Sequence, residues 1–192
     1  MNTPAHAIFN LAILGRKQRP DWNPLIIWGA LIPDLAMFGF YLWYQLATDM
    51  PERQIWSQAY FLPSWQLLFD LFNSIPLALG AIALTLYFHR TGIALLFTSI
   101  LLHCLEDLPL HNDDAHRHFL PFSNFRFESP VSYWDSAHYG QIVGTLELGL
   151  MLIASIYVFK RVRSRWTKGL IISANALPLL VYLYFSIRFG TS

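Results

Sequence analysis

Apolar residues fill long, almost unbroken runs of this chain, and polar residues are gathered into the short breaks between them. A helix needs about 20 apolar residues to cross a bilayer, so run length separates spanning segments from shorter ones. The pattern predicts a short helix over 4–15 and full-length helices over 24–47, 65–88, 92–108, 140–159 and 169–188. Arg16, Lys17 and Arg19 close the first run, His89-Arg90 turns the chain between two others, and Lys160 to Arg165 form a basic break before the last. The polar stretch 48–63 reads as a loop, with Ser64 as N-cap of the helix that follows. Pro33 interrupts the helix over 24–47; it cannot donate to the Gly29 carbonyl, which predicts a kink and a freed acceptor. The expected fold is all-α: a polytopic helical membrane protein with five full transmembrane helices plus a short inserted N-terminal helix. Residues 1–192 read as one integral-membrane domain, with an extended loop at 109–139.

Composition agrees with that reading. Charged residues make up 13% of the chain, about half of the roughly 25% usual in soluble domains. A net charge of +1 argues against nucleic acid as partner. The single cysteine, Cys104, excludes an internal disulfide framework, and no basic stretch precedes the first apolar run as a cleaved leader requires. Cytoplasmic loops hold an excess of Lys and Arg. With 16–23, 89–91 and 160–168 on that side, nine of the thirteen basic residues are cytoplasmic, and the loop 109–139 faces away from it.

Ionisable residues concentrate where they are expensive to keep. From His103 the chain reads HCLEDLPLHNDDAHRH, which holds His103, Glu106, Asp107, His111, Asp113, Asp114, His116 and His118. His103 and Asp107 are four apart, so on a helix they share one face and can chelate a divalent ion, with Glu106 also turned that way. The other reading is a pair that ties helices together. His111 extends the spacing to HxxxDxxxH, although Pro109 disfavours a helix that far, so His111 reads as a third ligand or a base. Asp34 lies mid-span, where an unpaired carboxylate costs at least about 2.5 kcal/mol, so it needs a cation or a donor. At 1.5 Å per residue, Asp34 and His6 rise roughly 14–15 Å above the cytoplasmic boundary, and His103 and Glu147 roughly 18 Å. The count places side chains of separate helices in one slab. Asp70 reads equally as an interfacial residue or part of a site, and Glu147 is similarly open. Arg117 and Arg126 flank an aromatic loop and suit either a substrate anion or a head-group anchor.

These motifs resemble a known family. Thr3-Pro4-Ala5-His6, Gly29-Ala30-Leu31-Ile32-Pro33-Asp34, His103-xxx-Asp107 and Leu120-Pro121-Phe122-xx-Phe125-Arg126-Phe127 occur in that order. They are similar to motifs of the bacterial inner-membrane family of metal-dependent hydrolases, and the N-terminal His, the GALIPD run and HxxxDxxxH also resemble the zinc-dependent phospholipase C family. The resemblance covers residues 3–127 through short motifs. It implies that His6, Asp34, His103 and Asp107 are ligands of a divalent metal, zinc by analogy, in a bacterial inner membrane. Ala36 stands where the membrane family has a second acid, and Asn73 where it has a histidine. That implies either fewer metals or replacement ligands among Asp70, Asp113, Asp114 and His116. The expected activity is hydrolysis of a phosphoester or membrane lipid by metal-activated water, with Glu106, His111 or Asp114 as acid-base group and Arg117 or Arg126 holding the substrate anion. The alternative is a non-catalytic membrane protein, a metal carrier or an accessory subunit.

Overall fold

A computed structural model describes residues 1–189, with side chains through Leu180 apart from Leu177. Helices α1 (Thr3–Leu14), α2 (Asn23–Ala47), α3 (Glu52–Gln54), α4 (Pro63–Phe72), α5 (Ile75–Tyr87), α6 (Thr91–Asp107), α7 (Gly140–Arg161) and α8 (Arg165–Phe189) follow in order, with no strand among the described residues. α6 packs on α2 and α5, and α1 lies between α2 and α7 with α6 alongside.

The centre of the bundle is stitched by small and polar groups. A Cβ on Gly29 would lie 2.3 Å from the Leu96 carbonyl oxygen and 2.7 Å from Ser99 Cβ, so α2 and α6 touch backbone to backbone there. Ser99 Oγ donates to the Ile26 carbonyl at 2.6 Å, and Asn10 Nδ2 of α1 donates to Ser99 O and Oγ, both at 2.9 Å. Gly29→Ala is expected to lower stability by about 1–3 kcal/mol through overpacking. A thermal-unfolding midpoint in detergent checks it, and an unchanged midpoint would show that the helices can part without cost.

Two expected elements differ. The helix over 65–88 is broken into α4 and α5, bent by 44°. Ser74 causes the break: its Oγ accepts the Leu77 N–H at 3.2 Å, and Pro76 occupies the first turn of α5. Ser64 is not a cap, since α4 starts at Pro63 with Leu62 in the cap position. The stretch 48–63, read as a loop, instead winds through α3 and a π-helical turn, Ile55–Ala59, that supplies core. Ile55, Ala59 and Tyr60 pack with Phe40 and Phe69 into an aromatic cluster. Pro33 sits inside α2, which continues through it.

The distribution of side chains is inverted relative to a protein that meets water on all sides. His6, Asn10, Asp70, Ser99, His103 and Asp107 are buried, whereas Leu42, Leu46, Tyr87, Ile142 and Ile153 are exposed. Such an apolar exterior is compatible with contact with a membrane. Among the described residues two helical segments, Pro20–Ala47 and Gly140–Arg161, are long and apolar enough to cross one, and the bent α4–α5 pair makes a third at most. Five spans are therefore not supported. The bend divides one expected span, and α6, with 17 residues, is roughly 26 Å long and falls short of the hydrocarbon thickness. Most side chains in the second half of α8, including Arg188, lie outside the described residues.

Candidate metal centre

The helical spacing of His103 and Asp107 brings both onto the face of α6 that meets α1 and α2. His103 Nε2 lies 3.0 Å from Asp107 Oδ2, and His6 Nε2 lies 3.0 Å from Asp107 Oδ1. The imidazoles of His6 and His103 stack at 3.7 Å with 19° between planes. One ligand atom from each of His6, His103 and Asp107 falls within 4.8 Å of the others, and all three residues are buried: the group could hold a metal ion. Asp34 Oδ1 of α2 stands 3.7 Å from His103 Nε2, slightly outside this trio.

The orientation of these rings matters more than their proximity. His103 Nδ1 donates to the Ala30 carbonyl at 2.8 Å, which fixes the ring with Nε2 turned inward toward Asp107. Despite its close neighbours, His103 Nε2 makes no hydrogen bond, and neither does Asp34 Oδ2. Two donor atoms about 3 Å apart without hydrogen-bond alignment could share a cation: tetrahedral zinc separates its donors by roughly 3.3–3.4 Å. Both ring nitrogens of His6 face carboxylates, Nδ1 at 2.7 Å from Glu106 Oε2. A cation replacing the proton at Nε2 leaves Nδ1–H donating to Glu106, the carboxylate–histidine–metal arrangement. Glu106 thus stands behind His6. Glu106→Gln is expected to weaken metal binding about 10–100-fold while leaving His6, His103 and Asp107 in place; metal titration with a competing chelator checks this, and unchanged affinity would remove Glu106 from the centre.

A second positive group competes for the same carboxylate. The Met1 amino group lies 2.6 Å from Asp107 Oδ1 and 3.3 Å from His111 Nε2. His111 follows α6 in the loop and bridges outward: its Nε2 is 3.3 Å from Asp107 Oδ1 and its Nδ1 2.9 Å from Asp114 Oδ2. Burial opposes its protonation, but the charge of Asp107 and the nearness of the Asp107 and Asp114 carboxylates outweigh that and raise its pKa. Asp114 also accepts from Trp134 Nε1 at 3.0 Å. Despite the cost of burial, its pKa is lowered by these donors.

A cavity of about 230 Å³ opens beside the trio, lined by Asp34, Asn73, Asp107, His111, Asp114 and His116 among others. Asp34 Oδ2, Asn73 Oδ1 and Asp114 Oδ1 are buried without a hydrogen-bond partner on residues that line it, whereas His116 Nδ1 lies 3.6 Å from Asp70 Oδ1. Buried polar atoms are nearly always paired, so three unpaired ones on residues around one space call for a polar occupant. Tyr60 and Tyr133, which the sequence did not single out, complete the wall and continue into a neighbouring groove of about 660 Å³ lined by Trp56, Phe61, Trp134 and Arg53. Asp113 faces that groove rather than the trio.

Arg117 and Arg126 are placed elsewhere. Asp70, fully buried on α4, accepts Arg117 N–H at 2.8 Å, Arg117 Nε at 2.5 Å and Arg126 Nη2 at 3.1 Å. Both guanidinium groups are committed to one internal carboxylate and leave the substrate-anion role expected of them without support. His118 serves structure as well: its Nδ1 donates to the Asn73 carbonyl at 2.8 Å. Burial, with the nearby His116, lowers its pKa to about 4, so it is neutral. Glu147 of α7 accepts the backbone and side-chain N–H groups of Asn2 at 2.9 and 2.8 Å and so anchors the start of α1. His138 pairs with Asp135 at 2.6 Å.

No family model matches the chain, and neither a curated protein nor a solved structure does.

Proposed function

We propose that this chain is a membrane-embedded, divalent-metal-dependent hydrolase of a phosphoester or lipid, with its site on the extracytoplasmic side of a bacterial inner membrane. The observation that carries the reading is the buried His6–His103–Asp107 group beside a cavity whose polar atoms lack partners. Asp34 supplies a fourth ligand, and imidazole plus carboxylate is a donor set that suits zinc. A divalent ion held there would supply Lewis acidity and make a water at the site easier to deprotonate. Asp114, on the cavity wall and oriented by His111 and Trp134, accepts the proton of the attacking water. Glu106 holds the His6 tautomer, a positioning role. The adjoining aromatic groove takes the apolar part of the substrate, and Arg53 is the guanidinium that lines it.

One observation favours a second reading, in which the cluster is structural and the protein non-catalytic: the Met1 ammonium already neutralises Asp107. Elemental analysis of the detergent-purified protein separates the two. About one zinc per chain is expected in the wild type and little in His103→Ala or Asp34→Ala, with hydrolysis of bis(p-nitrophenyl) phosphate lost in parallel. A wild type that takes up no divalent metal on titration would leave the structural reading standing.

A further inference from the structure

The end of α1 away from Asn2 and Glu147 carries a second feature, independent of the metal centre. Two basic turns that are far apart in sequence converge on one cleft: Arg16 and Lys17 follow α1, and Arg161 and Arg163 end α7. Leu11, Val158 and Val162 are its apolar lining, and no Asp or Glu lines it. Among the described residues none of these four cations forms an ion pair, and the nearest acid in sequence, Asp21, is engaged by Arg19 at 2.8 Å. Arg161 is half-buried, with its guanidinium 4.6 Å from the Tyr157 ring centroid, which fixes its position.

The charge does not cancel locally. α1 and α7 both end at the cleft, and each C-terminus contributes roughly half a negative charge, while the start of α2 at Asn23 contributes roughly half a positive one. Against four side-chain cations, a surplus of about three and a half positive charges remains. An excess of basic residues in cytoplasmic loops requires only that they be present there. It does not require them to line one cleft over an apolar floor without a counter-ion.

We propose that this cleft binds a phosphate group, carried either by an anionic lipid head group or by a free phosphate. Guanidinium forks match phosphate oxygens two at a time, and the compact Lys17 ammonium adds a point charge. Basic pockets between helices on the cytoplasmic side are suited to such head groups.

The test uses the full chain in detergent, with phosphatidylglycerol, phosphatidylethanolamine and inorganic phosphate as probes read by native mass spectrometry. The wild type is expected to retain phosphatidylglycerol over phosphatidylethanolamine, and Lys17→Gln with Arg163→Gln to reduce that retention about tenfold. Zinc content stays unchanged, which separates this site from the metal centre. Competition by millimolar inorganic phosphate identifies the phosphate itself as the ligand; retention of phosphatidylglycerol that inorganic phosphate does not displace identifies the lipid head group. Arg161→Lys with Arg163→Lys preserves charge and membrane orientation and removes the forks, and is expected to weaken retention at least threefold. Equal retention of the two lipids with no inorganic phosphate bound, or glutamine variants that bind as the wild type does, overturns the proposal.

Discussion

Asp70→Ala is expected to destabilise the protein by about 3–5 kcal/mol, because it removes the shared partner of two arginines and leaves their charges uncompensated. Asp70 is fully buried, and it receives the Arg117 backbone N–H as well as both guanidinium groups. The arginines keep some solvent access, with side-chain exposures of 21% and 30%, which places the effect toward the lower end. For a chain of this size that corresponds to a fall of about 6–12 °C in the unfolding midpoint, at 2–4 °C per kcal/mol. The same carboxylate ties the loop 109–139 down to α4, so early proteolysis between His111 and Arg126 is expected alongside the lower midpoint. Arg117→Met should cost less, since Arg126 remains to pair Asp70. An Asp70→Ala midpoint within about 1 °C of the wild type would show that this pairing contributes nothing to stability.

What was legible in the sequence and what was not divides along the range of the interaction. His103 and Asp107 were legible because a helix of known rise puts residues four apart on one face. His6 and Asp34 were brought to the same level by counting rise from a basic boundary, and their side chains do meet α6 there. Glu106 was also placed on that face, but spacing alone could not tell a group inside the centre from one behind His6. That choice is made by α1, a hundred residues away in sequence. Asp70 stayed undecided for the same reason. A carboxylate at one end of a helix and two arginines in a distant loop give a charge count, and only the loop's return across α4 makes them partners. The stretch 48–63 misled because Ile55, Ala59 and Tyr60 fill the core from between polar neighbours, at a spacing too short to show a period. Its consequence reaches the site, since Tyr60 walls the cavity. The break at Ser74 carried its own signals, a cap residue and Pro76, within an otherwise spanning apolar run. Run length outweighed them in the count of spans.

Asp107→Asn carries the second large effect, and it decides what the buried cluster is for. Asp107 stands at the hub: the Met1 amino group, His6, His103 and His111 all lie within 3.3 Å of its carboxylate oxygens. Asparagine keeps the volume and one acceptor and removes the charge. If the cluster holds a metal, the wild type is stabilised by the ion, by about 2.7 kcal/mol when the ion is present at a hundred times its dissociation constant. A chelator is then expected to lower the wild-type midpoint and to leave Asp107→Asn unmoved, because the variant loses its metal through the missing ligand charge. The loss in affinity should exceed the roughly 100-fold upper bound for a supporting residue such as Glu106. If the cluster only ties α1 to α6, Asp107→Asn lowers the midpoint by the same amount with and without chelator, and chelator does nothing to the wild type. The two outcomes differ in the wild type itself. The comparison therefore does not depend on the variant folding well, and a wild type indifferent both to chelator and to added zinc would withdraw the metal from this site.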